Sequence, residues 1–169
     1  MITKEWIRDK NPCAEALKWW DKKERDPMKI LNLLMKEKKY DWANWFIVRI
    51  MTYAQYVNYA VYAAEQVIDI YEIKYPNDNR PRTAIASAKK CIKNPSAKNK
   101  HAASDAAYAA SAAYGAAYST ADAASAVAEA ASTAYAAGAG YAAGAVYAAY
   151  GATMKLKILK YGIKLLKED

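Results

Sequence analysis

Residues 52–74 read TYAQYVNYAVYAAEQVIDIYEIK, and this run decides the fold class. Thr52 followed by Gln55 is a Thr-x-x-Gln capping box, the pattern of a helix start. Tyr53, Val57, Ala60, Ala64, Val67 and Tyr71 then recur at steps of three and four, which predicts one apolar helical stripe continuing to about Lys74. Neither Gly nor Pro interrupts the run.

The same signals repeat on both sides. Asn11-Pro12 and Asp26-Pro27 each combine an N-cap residue with a proline suited to the first helical position. They predict helices from Cys13 to about Asp21 and through Ile30, Leu33 and Leu34. Asp41 is a candidate cap for a third helix carrying Trp42, Trp45, Phe46 and Arg49. Pro76 and the Asn77-Asp78-Asn79 cluster mark a turn, Pro81 restarts a helix through Cys91, and Asn94-Pro95 is a further stop and start. From about Ala97 onward the chain reads as helix. Residues 102–153 are about half Ala, the best helix former, and two or three helices are expected before the tail. In the tail, Leu156, Leu159, Ile163 and Leu166 suggest an apolar seam.

The expected fold is therefore all-α. It is a single-domain helical bundle with a long Ala/Tyr-rich C-terminal helical hairpin, made of a Trp/Tyr-rich basic half (1–96) and an Ala-rich half (97–169) packed as one domain. Alanine buries little area per contact, at about 25 cal/mol per Å², so the Ala/Tyr face calls for a second copy of the chain. A homo-oligomer is expected.

Composition limits function more by exclusion. The chain has 169 residues, 54% of them apolar and 25% charged, as in a globular protein. One His and two Cys are too few for a zinc site or a disulfide framework. Cys13 and Cys91 fit free thiols in a reducing cytoplasm. The first residues lack the apolar core of a signal peptide. Residues 130–154 are uncharged and long enough to span a bilayer, but they lack Leu, Ile and Phe, so no membrane span is expected. No GxSxG, P-loop, GxGxxG or HExxH occurs, and neither thiol stands in a motif that would pair it with His101. Neither catalysis nor a cofactor is expected.

The net charge is +8, while residues 102–153 hold only Asp105, Asp122 and Glu129 and no cation. A basic body suits an acidic partner. The block Tyr75-Pro-Asn-Asp-Asn-Arg-Pro-Arg82 concentrates that charge at a helix start. Arg80 and Arg82 there could hold a phosphate in bidentate fashion, with Tyr75, Tyr71, Trp42 or Trp45 stacking on a base. Lys98 and His101, in a Lys-rich segment, join them as candidate ligand-binding residues. Alternatively, Arg80 and Arg82 pair with Glu72, Asp78 or Asp69 and lock a helical hairpin.

Residues 62–90, YAAEQVIDIYEIKYPNDNRPRTAIASAKK, resemble the signature of the immunity proteins of the Imm-5 type. The matching positions are Glu72, Tyr75, Pro76, Asp78, Arg80, Pro81, Arg82, Ala84 and Ile85, and the Ala-rich stretch that follows is also similar. Residues Pro12 to Leu17 with Trp19, and then Asp41-Trp42-x-x-Trp45, resemble the N-terminal segment of phage members. The resemblance implies binding without catalysis. Two partners follow: a small phosphate-bearing nucleotide, an immune signal sequestered by a phage-encoded anti-defence protein, or a protein toxin neutralised by direct contact. Nucleic acid ranks behind both. The expected location is the cytoplasm, that of the host for a phage protein.

Overall fold

The computed structural model describes residues 2–20, 26–66, 68–103 and 152–168. Among them the only regular elements are helices: α1 (Lys4–Asp9), α2 (Ala14–Trp20), α3 (Pro27–Lys36), α4 (Tyr40–Ile50), α5 (Tyr53–Glu65), α6 (Ile68–Lys74) and α7 (Arg80–Lys93), then a helical stretch at 97–103 and a C-terminal helix, Ala152–Leu165. The Ala/Tyr-rich hairpin expected from the sequence lies mostly outside the described residues.

The chain forms two compact units, Met1–Ile50 and Met51–Asp169. In the first, α3 packs on α4 around buried Ile30, Leu31, Leu34, Phe46 and Ile47. Asp26 caps α3 by accepting the Lys29 N–H at 2.9 Å, with Pro27 in the first turn as expected. The Asn11-Pro12 expectation is corrected. Asn11 has φ 53°, the left-handed geometry that follows a helix end, and it terminates α1, a helix the sequence reading missed. The chain then enters α2 through Cys13, whose Sγ accepts the Ala16 N–H at 3.4 Å. Lys38, with φ 56°, ends α3 in the same way, and α4 begins one residue before Asp41.

Trp20 lies buried in this unit, and its indole N–H finds no acceptor among the described residues. A buried unsatisfied donor costs about 1–3 kcal/mol. Trp20→Phe removes the donor together with part of the ring. We expect a loss below about 2 kcal/mol, against about 3–5 kcal/mol for truncating a buried large ring to Ala, read from urea unfolding by far-UV circular dichroism.

In the second unit α5 is the hub, packing on α6, α7 and the C-terminal helix. The Thr52–Gln55 capping box is present in both directions. The single helix expected to reach Lys74 is instead two, with α5 closing at Gln66, whose side-chain amide donates to the Tyr62 carbonyl at 3.0 Å. Val57, Ala60 and Ala64 are buried as the stripe predicts, but Val61 and Ala63 are buried too, because α5 has neighbours on several sides. Val67 and the Tyr71 side chain lie outside the described residues. The C-terminal helix buries Leu159 of the expected seam together with Ile158, Gly162 and Leu165, while Leu156, Ile163 and Leu166 are only part-buried. Tyr161 stacks on Tyr62 with ring centroids 3.8 Å apart. No described helix is long and apolar enough to cross a membrane.

Candidate functional site

The Arg-Pro-Arg block sits where α6 turns into α7. Ala84, Ile85, Ala88 and Cys91 bury one face of α7 against Val57, Ala60, Val61 and Ala64 of α5. Pro81 is buried at the α7 start, so the arginines on either side of it project from a fixed backbone. The loop is tightened by the Asp78 N–H, which donates to the Tyr75 carbonyl at 3.0 Å.

Both arginines are engaged within the chain. The Arg80 guanidinium donates to the Asp78 carboxylate through Nε at 2.9 Å and Nη2 at 2.5 Å, and the same carboxylate accepts the Arg80 backbone N–H at 3.1 Å. Asp78 thus occupies the anion position at this helix start. Arg82 grips Glu72 across the hairpin, Nε to Oε1 at 2.8 Å and Nη2 to Oε2, with Asp69 at 3.8 Å. The Glu72 bond raises the Arg82 pKa above its already high ordinary value, so this cation is permanent in water. Lys89 and Glu65, 2.6 Å apart, tie α7 to α5.

Of the other sequence candidates, Tyr75 is half-buried at the turn, with the Lys74 ammonium 5.5 Å from its ring, while Lys98 and His101 are exposed on the 97–103 helical stretch. Trp42 and Trp45 belong to the first unit, whereas Tyr75, Arg80, Arg82, Lys98 and His101 belong to the second. Beside the hairpin turn, Ile73 is the most exposed large hydrophobic among the described residues, at 83%. No period or motif singled it out. No group of three His, Cys, Asp or Glu able to hold a metal occurs among the described residues.

Sequence reasoning also missed a small, part-buried cluster. Tyr53 donates to the Cys91 sulfur, and the Lys100 ammonium lies 5.0 Å from the Tyr53 ring. Burial first, then Cys91, push the Tyr53 hydroxyl from 10 up to about 12. Burial also raises the Cys91 thiol, against the opposing pull of Lys100. This thiol is therefore no activated nucleophile. Because the folded state holds the Tyr53 proton more tightly than the unfolded chain, the Tyr53 contribution to stability is full below pH 10 and is lost as pH rises from 10 toward about 12. In alkaline unfolding followed by circular dichroism, Tyr53→Phe is expected to flatten that decline.

The family model for "Imm-5 like putative immunity protein" matches residues 48–167, and the chain belongs to that family. The match starts close to the junction of the two units, so the Pro12–Trp45 segment lies ahead of it. No curated protein and no solved structure matches the chain significantly.

Proposed function

We propose that the chain is a non-catalytic immunity protein that neutralises a toxin by direct protein–protein contact, and that the α6–α7 hairpin is its recognition ridge. One observation carries this reading: Asp78 and Glu72 already take the two guanidinium groups that a phosphate ligand would need. A ridge braced by such pairs presents a fixed pattern of charge. Exposed Ile73 adds an apolar anchor beside that polar rim, an arrangement typical of binding hot spots. The reading involves no cofactor, no membrane and no reaction step, and it places the chain in the cytoplasm.

The test co-expresses the chain with a panel of bacterial toxins and takes forward any whose growth arrest it relieves. Wild-type chain is expected to restore growth of toxin-expressing cells and to co-purify with the toxin. Ile73→Asp is expected to lose both while keeping its circular dichroism. Full protection by Ile73→Asp overturns the reading.

Sequestration of a phosphate-bearing nucleotide by a phage-encoded, anti-defence chain is the second reading. It is favoured by the accessibility of the arginines, whose side chains are 41% and 51% exposed at a helix start. The ligand must then displace Asp78 or Glu72. Native mass spectrometry of protein from infected cells separates the two readings and also counts the proposed homo-oligomer. A nucleotide mass that disappears with Arg80→Ala plus Arg82→Ala supports sequestration, whereas an empty chain that still protects supports toxin binding.

A further inference from the structure

All five Trp and the single Phe stand in residues 1–46, while fourteen of the fifteen Tyr lie in the second unit. The first unit precedes nearly all of the family match. Its aromatic residues line a shallow, open cleft. Part-exposed Pro12, Trp19, Trp42 and Trp45 form the walls, and buried Leu34 and Phe46 form the floor. Trp19 and Trp42 meet edge to face at 6.2 Å, a favoured arrangement for an aromatic pair.

We propose that this cleft is a docking site for an acidic protein segment that carries an apolar anchor, a function separate from the hairpin ridge. The lining offers almost only carbon, so it lacks the converging polar groups that orient a polar small molecule. The cleft is shallow, about 30 Å³, far below the roughly 300 Å³ at which small-molecule sites begin, and it suits the tip of one apolar side chain rather than an acyl chain or a dinucleotide. The rim supplies the charge preference. The Lys39 ammonium lies 4.3 Å from the Trp42 ring and the Arg49 guanidinium 4.0 Å from the Trp45 ring. Two acids stand among them: Glu37, held at 2.6 Å by the Trp19 indole N–H, and exposed Asp41 next to Trp42 in α4. The unit as a whole carries twelve Lys and Arg against eight Asp and Glu. Carboxylates flanking an apolar anchor would meet these cations as the anchor enters, the complementarity that sets partner choice and register.

The test pans a display library of random Trp-free segments on the full-length protein and then titrates the winners by Trp emission, which reports only the first unit. The expected winners carry Asp or Glu around Leu, Ile or Phe and shift the emission to the blue. Lys39→Glu, a surface change that leaves the core intact, is expected to weaken them about tenfold. Trp42→Ala is expected to abolish binding, and Ile73→Asp to leave it unchanged, so failure of the hairpin reading does not touch this one. Winners that are basic or neutral, winners indifferent to Lys39→Glu, or no winners at all overturn the proposal. So does an emission shift caused by anionic lipid vesicles but by no peptide.

Discussion

Ile85→Ala is expected to destabilise the second unit by about 2–5 kcal/mol, the usual cost of truncating a buried Ile. Ile85 is 2% exposed on the face of α7 that meets Val57, Ala60, Val61 and Ala64. The neighbouring alanines are short and the helices are already close, so little can collapse into the space left behind. Arg82→Ala, three residues away, is expected to cost only about 0–1 kcal/mol, because a half-exposed ion pair gains little over hydration. Urea unfolding of the two variants by far-UV circular dichroism makes the comparison. If Arg82→Ala proves as damaging as Ile85→Ala, the ion pairs hold the hairpin together. The expected ordering says instead that the apolar seam holds the helices, and that the paired arginines shape the surface the hairpin presents.

Gln55→Leu is the second large effect, expected at about 2 kcal/mol from a lost cap and a lost buried hydrogen bond, since the Leu165 carbonyl keeps only the long 3.4 Å bond from the Glu168 N–H. The Gln55 Oε1 accepts the Thr52 N–H at 2.9 Å and completes the capping box. Its Nε2 donates to the Leu165 carbonyl at 3.1 Å, at the last turn of the C-terminal helix. Leucine keeps the bulk and loses both bonds. Gln55→Glu separates the two roles, since it keeps the cap acceptor but sets a carboxylate oxygen against the Leu165 carbonyl. Hydrogen exchange at Leu166–Lys167 is expected to rise in both variants, and exchange in the first turn of α5 to rise mainly in Gln55→Leu. Equal protection in all three proteins would mean that the C-terminal helix is held by Ile158, Leu159 and the Tyr62–Tyr161 stack alone.

Composition also marks the division at Ile50–Met51. Trp and Phe end at residue 46, and Tyr, with Ala, becomes the main packing residue beyond it. The rise in alanine marks a second compositional boundary, at 96–97. Helix α1 escaped because six residues are too short for a period to register, and its Thr3 cap, accepting from Trp6 at 3.1 Å, lacks a proline beside it. Asn11-Pro12 misled because asparagine suits both a helix start and the left-handed residue that ends a helix.

The sequence by itself determined the helical class and the starts at Asp26, Thr52 and Pro81. Each is local chemistry: a side chain satisfies a backbone N–H three residues ahead, or a proline sets its own φ, and no distant residue takes part. It also narrowed the partners of Arg80 and Arg82 to three carboxylates. Tertiary structure alone decided that Asp78 takes Arg80 and Glu72 takes Arg82, that the C-terminal helix turns Ile158 and Leu165 inward, and that one amide of Gln55 reaches a carbonyl 110 residues away. Those outcomes depend on the angle at which each helix rests on its neighbour. That angle is set by the summed packing of residues far apart in the chain, and no short window of sequence contains it.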